Sequence, residues 1–210
     1  TVQFADDGSV TFGDTIRRVA ELSGIVATGT DGNDTLTVST ESATTVTVHV
    51  WFDGRGGSDT LIGPQRDAAW IVTGTATGLL KAGALEIAFA GVEHLVGAPE
   101  TWDRFVLEGV GWVESVDGGG GGFDTLELAG GSFDEIAATV TGAQSGVIAR
   151  DDLVTVYDGL EPVEFTAANC TVCVLNVSDS TASVSVRTVA GNTVVELTDA
   201  NGAPSGETHT

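Results

Sequence analysis

Apolar and polar positions alternate along much of the chain. Thr44–Val50 reads Thr-Thr-Val-Thr-Val-His-Val, and Ala182–Thr188 reads Ala-Ser-Val-Ser-Val-Arg-Thr. A period of two sends successive side chains to opposite sides of a pleated backbone, so each stretch predicts a strand with one apolar face. Thr193–Thr198 predicts another strand, with a tight turn at Asp199-Ala-Asn-Gly202 behind it. Residues 203–210 read as a linker or disordered end, the kind of segment that leads on to further domains of a longer parent protein.

Gly- and Asp-rich corners punctuate these strands, and they repeat. Phe52-Asp-Gly-Arg-Gly-Gly-Ser-Asp-Thr-Leu61 is echoed by Val116-Asp-Gly-Gly-Gly-Gly-Gly-Phe-Asp-Thr-Leu126, 64 to 65 residues on. Phe89-Ala-Gly-Val-Glu93 is echoed by Tyr157-Asp-Gly-Leu-Glu161 and Gly78 by Gly146, both at an offset of 68. Two copies follow, at about 53–116 and 117–165, with a partial copy before 53 whose corner is Gly29–Thr37. Asp34, Asp59, Asp103 and Asp124 each precede a Thr-Leu or Arg-Phe step at intervals of 25, 44 and 21 residues. Taking 44 as twice 22 gives one structural turn per 21–25 residues, with a corner near Lys81–Gly83 that has lost its Asp.

That spacing predicts an all-β fold, a parallel β-helix or solenoid forming one elongated domain over 1–202, and the crossover rule favours right-handed winding. The competing architecture is a pair of antiparallel β-sandwich domains, which also join short strands by Gly turns but require no Asp at multiples of about 22. Composition agrees with strands and tight turns: 29 Gly, four Pro and no Met among 210 residues.

Charge narrows the partners. Thirty acidic residues face eight basic ones, a formal −22, which repels nucleic-acid phosphates and anionic membranes. No apolar run reaches the roughly 18 residues of a membrane span, so direct membrane insertion is not expected. Such a charge calls for screening by salt or by bound cations, as in seawater, a halophile or a calcium-rich exterior. Cys170 and Cys173 have no second CxxC to complete a zinc site. They face opposite ways in a regular strand, which leaves one buried and one exposed thiol or a local disulfide.

The corners carry the candidate chemistry. Gly119–Glu127 (Gly-Gly-Gly-Gly-Phe-Asp-Thr-Leu-Glu) fits G-G-x-G-x-D-x-U-x at every fixed position, U being a large apolar residue. Gly54–Ile62 lacks the second Gly, Gly29–Thr37 has Thr30 there, and Ala98–Val106 keeps only Asp103 and Phe105. Glycines let carbonyls turn toward a cation and an Asp supplies a hard anionic oxygen. The candidate calcium ligands are therefore Asp34, Asp59, Asp103 and Asp124, with Gly32, Gly57 and Gly122 shaping the loops. Two carboxylates about 5 Å apart on stacked turns repel by roughly 3 kcal/mol at an effective dielectric near 20, a cost that a cation removes. The same residues also suit a plain tight corner in which Asp caps backbone amides and no metal takes part.

Phe89–Gly109 followed by Val116–Gly130 resembles repeats of very large bacterial extracellular proteins, adhesin-like and with degenerate RTX (haemolysin-type) calcium-binding motifs. The resemblance covers roughly 50–165 and rests on Gly91, Glu93, Leu95, Asp103, Phe105, Asp117, Gly118, Asp124 and Leu126 in order. It implies a non-catalytic structural or adhesive module at the cell surface or secreted. The implied partners are further copies, neighbouring domains of the same protein, or glycans. In the proteins it resembles, calcium sits between neighbouring turns of tandem nonapeptides, whereas here each motif stands alone; Asp134, ten residues after Asp124, is the nearest to a tandem partner.

A carbohydrate-binding module is the alternative, with Trp51, Trp70, Trp102 and Trp112 as stacking platforms. A polysaccharide lyase needs cations beside clustered acids. Here Lys81 and seven Arg are scattered, His49, His94 and His209 belong to different segments, and neither GxSxG nor HExxH occurs. Both His49 and His94 are expected to be exposed.

Overall fold

The structure, a computed structural model, describes residues 24–39, 48–160, 163–166 and 168–176 in full, and the backbone alone at 2–4, 9–12, 15–18, 40, 177, 183–189 and 192–198. The predicted turn at Asp199–Gly202, the end segment 203–210, His209 and residues 44–47 of the first alternating stretch lie outside the described residues.

The chain is all-β, with no helix among the described residues. Its early strands are β1 (Val2–Phe4), β2 (Ser9–Phe12), β3 (Thr15–Arg18), β4 (Ile25–Thr28), β5 (Thr35–Thr40), β6 (Val48–Asp53) and β7 (Thr60–Ile62). The middle is β8 (Ala69–Gly74), β9 (Thr77–Ala82), β10 (Leu85–Ala90), β11 (His94–Val96), β12 (Arg104–Glu108), β13 (Ser115–Asp117) and β14 (Thr125–Ala129). Then come β15 (Ser132–Val140), β16 (Gly146–Arg150), β17 (Leu153–Asp158), β18 (Val163–Thr166), β19 (Asn169–Val177), β20 (Ser183–Val189) and β21 (Asn192–Thr198).

They form two mixed sheets of eleven and ten strands. From β4 to β19 each Gly-rich corner carries the chain from one sheet to the other. Strands β4, β6, β12, β14 and β18 belong to the ten-stranded sheet, and β5, β7, β11, β13 and β19 to the eleven-stranded one. Successive visits pair in parallel, as in β4 with β6, β5 with β7, β11 with β13 and β12 with β14. Two antiparallel meanders interrupt the alternation: β8–β9–β10 stays within the ten-stranded sheet and β15–β16–β17 within the eleven-stranded one.

The expected corner near Lys81–Gly83 is therefore not a corner that lost its Asp. Lys81 lies in β9 and Gly83, at φ +61°, makes the hairpin turn to β10 inside one sheet. The 44 residues from Asp59 to Asp103 are filled by a meander, not by two equal turns. The echoed pair Gly78 and Gly146 marks the two meanders: Gly78 pairs with Phe89 and Gly146 with Tyr157, and each ring lies where a Cβ on the glycine would be. The two meanders occupy opposite sheets. That placement keeps the sheets matched. From β4 to β18 one sheet runs β4, β6, β10, β9, β8, β12, β14, β18; from β5 to β19 the other runs β5, β7, β11, β13, β17, β16, β15, β19, eight strands in each.

The core lies between the two sheets, filled by the apolar face that the alternation predicts; β10 reads buried at Leu85, Ile87 and Phe89 and half-buried between. Leu61, Leu95 and Val116 from one sheet meet Trp70, Leu80, Ile87 and Phe105 from the other in a single cluster. Trp70 stacks on Phe105 at 5.2 Å between ring centroids. Cys170 and Cys173 form a disulfide within β19, with their Cα atoms 5.9 Å apart. A regular strand would separate them by about 10 Å, so the edge strand bends there to bring the two side chains together.

Candidate functional site

The corners stack along two separate edges. Corners 29–34, 54–59, 91–93 and 109–114 lead into the eleven-stranded sheet, and corners 63–68, 97–103 and 118–124 lead into the ten-stranded one. Asp34 and Asp59 consequently share the first edge and Asp103 and Asp124 the second. The four do not form the single row that their spacing suggested, because the meander between Asp59 and Asp103 shifts the count by part of a turn.

Along each edge, backbone amides of one pass donate to side-chain acceptors, mostly carboxylates, of a neighbouring pass. On the first, the Asp34 N–H donates to Asp59 Oδ1 at 2.7 Å and the Asp59 N–H to Glu93 Oε2 at 2.8 Å. Beside it, the Ser58 N–H donates to Asn33 Oδ1 at 3.0 Å. On the second, the Ala68 N–H donates to Asp103 Oδ1 at 2.8 Å and the Asp103 N–H to Asp124 Oδ1 at 2.7 Å, while the Trp102 N–H donates to Asp67 Oδ1 at 2.9 Å. Carboxylate acceptors make such bonds stronger than neutral ones. Asp59, Asp103 and Asp124 are all buried.

Close approach of neighbouring passes explains the glycines. A Cβ on Gly54 would strike the Gly91 carbonyl oxygen, and one on Gly122, at φ +85°, the Thr101 carbonyl oxygen. Gly57 also sits at positive φ, against Gly32, whereas a Cβ on Gly32 would meet nothing nearer than 3.7 Å. Glu93 and Asp67 belong to the ladders but escaped the motif. Glu93 follows Gly91 by two residues and Asp67 follows Gly63 by four, against five or six in the recognised corners.

Burial raises the Asp103 carboxyl above the usual range, opposed by hydrogen bonds from Thr101, Ala68 and Ala98 and by the nearby Trp70 indole, whose N–H makes no hydrogen bond of normal geometry. Burial pushes Asp124 up to about 7; the Asp103 amide works against this, while the charges of Asp103, Asp117 and Asp67 add to it.

Calcium requires six to eight convergent oxygens. Asp34 Oδ2 accepts from the Thr30 N–H at 2.6 Å and the Thr30 hydroxyl at 3.0 Å. Asp103 Oδ2 accepts from the Thr101 hydroxyl at 2.9 Å and the Ala98 N–H at 3.3 Å. Asp59 Oδ2 is buried without a partner, wedged against Gly54. Among the described residues no three His, Cys, Asp or Glu side chains converge on a point where an ion could sit.

The remaining candidates are dispersed. Trp70 is buried, Trp112 donates from Nε1 to the Val154 carbonyl at 2.8 Å, Trp51 is 45% exposed on β6, and Trp102 is 57% exposed at the second edge. His49 is exposed and 3.1 Å from Glu86, as expected of a solvated strand face. His94 departs from expectation: its side chain is only 27% exposed, bridging Ser58 Oγ at 2.6 Å and Ser115 Oγ at 2.7 Å. Lys81 pairs with Glu86, Arg104 with Glu127, and buried Arg150 donates to the Gly109 and Gly111 carbonyls. These cations are thereby taken up by separate structural contacts. No family model, curated protein or solved structure matches the chain.

Proposed function

We propose that this chain is a non-catalytic structural repeat module, one link of a large bacterial protein that is secreted or displayed at the cell surface. In this reading the two sheets are the walls of a parallel, right-handed β-solenoid and the Gly/Asp corners are its two edges. Its partners are neighbouring modules of the same protein or further copies. One observation carries the proposal: the residues that look most like a ligand site, Asp34, Asp59, Asp103 and Asp124, are engaged in hydrogen bonds within and between passes of the chain. A residue spent on holding its own fold together serves architecture. The parallel pairing of successive visits to each sheet supports the solenoid, as a pair of antiparallel sandwiches would not contain it. The Cys170–Cys173 disulfide accords with an oxidising exterior.

A glycan-binding reading draws on a different feature. Trp102 is exposed 5.9 Å from the Phe123 ring, with exposed Asp67 accepting its backbone amide, an aromatic surface beside a polar group of the kind that sugars stack on. One experiment separates the readings. The protein is applied to a glycan array and incubated with a polysaccharide panel, and unsaturated or newly reducing sugar products are followed. Neither binding nor turnover is the outcome expected of a structural module. Binding that disappears in Trp102→Ala would replace it with the adhesive reading, and product formation would overturn both.

A further inference from the structure

We infer that the Gly/Asp corners of this chain join successive passes through carboxylate-to-amide hydrogen bonds in place of a metal ion, so that its folding needs no calcium. On each edge the amide of one pass donates forward to the carboxylate of the next, from Asp34 to Asp59 to Glu93 and from Ala68 to Asp103 to Asp124, all at 2.7–2.8 Å. A Glu serves at one step where its corner is shorter, which suits an acceptor of adjustable reach better than a shared ion of fixed coordination distance. The second oxygen of Asp34 and of Asp103 turns inward onto its own corner, to Thr30 and to Thr101 with Ala98, closing the loop that a cation would otherwise have to gather. The glycines serve the same joint: at Gly54, Gly97 and Gly118 the space a Cβ would need is occupied by a neighbouring carbonyl and by the corner's own carboxylate. This inference rests on the corner geometry and is independent of whether the module is a spacer or a glycan binder.

The four Asp/Glu steps run forward, while the flanking Ser58-to-Asn33 and Trp102-to-Asp67 bonds run back, so each amide answers to one identifiable side chain. Removing one carboxylate frees the amide of the preceding pass and leaves the other steps in place. Amide hydrogen exchange is measured in chelator on the wild type, Asp124→Ala, Asp124→Asn and Asp59→Ala. Exchange at the Asp103 amide is expected to quicken at least tenfold in Asp124→Ala while the Ala68 amide keeps its protection. Asp124→Asn, which retains an acceptor oxygen, should preserve most of it, and Asp59→Ala should release the Asp34 amide alone. In parallel, wild-type unfolding is followed in chelator, in millimolar calcium and in magnesium at equal ionic strength, and calcium binding is titrated by calorimetry. Equal midpoints in the two divalent ions and no calorimetric binding are expected. Saturable calcium binding with a rise beyond that in magnesium would overturn the inference, as would protection of these amides that vanishes in chelator. Should an alanine variant fail to fold, the wild-type titration decides by itself.

Discussion

Burial sets the behaviour of two acids in this molecule, Asp103 and Asp124. Asp124 is the clearest case, because the charged groups that bear on it, Asp103, Asp117 and Asp67, are acids like itself. Its folded pKa of about 7 lies above the 3.8 of an ordinary aspartate, so between those values the folded chain holds a proton that the unfolded chain has released. Folding stability from this group is therefore fully present below about pH 4 and is lost as pH rises through about 7; Asp103, also raised, acts in the same direction. The unfolding midpoint should be higher at pH 5 than at pH 8, the reverse of a protein held by salt-bridged carboxylates. Asp124→Asn should flatten that dependence, which separates it from the general relief of acidic repulsion. An unchanged pH profile in Asp124→Asn would show that Asp124 is not its source.

At the scale of elements, the two meanders rest on a glycine covered by an aromatic ring in the adjacent strand. Phe89 lies over Gly78 and Tyr157 over Gly146, and both rings are buried. A methyl group on either glycine meets the ring and a backbone carbonyl of the neighbouring strand, Ile71 in one case and Thr139 in the other. Gly78→Ala and Gly146→Ala should each cost roughly 1–3 kcal/mol through overpacking. Gly32→Ala, where a Cβ would meet only the Thr30 hydroxyl oxygen at 3.7 Å, should stay within about 0.5 kcal/mol. Urea unfolding of the three variants checks the contrast, and equal losses would show that the ring-over-glycine contact is not what fixes the meanders. The pairing also shows how a repeat was readable before its purpose was. Gly78 and Gly146 echo each other at the same offset as Phe89 and Tyr157, yet sequence spacing cannot reveal that each glycine lies under its own aromatic.

Across the whole molecule, 30 acidic residues against eight basic ones leave a net −22 that the fold must contain. Several of the few cations pair locally, as Lys81 does with Glu86 and Arg104 with Glu127, so the excess negative charge stays spread over faces and edges. Raising monovalent salt from about 0.01 M to about 0.1 M shortens the screening length from about 30 Å to about 10 Å. The unfolding midpoint should then rise by a few degrees, each kcal/mol being worth about 2–4 °C for a chain of this size. Sodium chloride alone should suffice, since diffuse screening needs no specific ion. A midpoint insensitive to salt would mean that the acids repel as strongly in the unfolded chain as in the folded one.

The sequence by itself determined the strands, their apolar faces and the Gly/Asp corners, because these are local. A period of two fixes which side chains share a face, and a glycine run with an Asp fixes where the chain turns. The echoes of Gly78 by Gly146 and of Phe89 by Tyr157 were legible too, and each pair lies within a meander. Direction and partnership are not local. Parallel and antiparallel strands share the same alternation, so nothing within Thr77–Ala82 announces that β9 runs back along its own sheet instead of crossing to the other. That single reversal divides Asp34 and Asp59 from Asp103 and Asp124. Tertiary structure likewise decided what the carboxylates do, since an Asp beside glycines can hold an ion or cap an amide, and the choice depends on which backbone groups the neighbouring pass brings within reach. Here it brings the amides of Asp34, Asp59, Ala68 and Asp103, each to within 2.8 Å of a carboxylate oxygen.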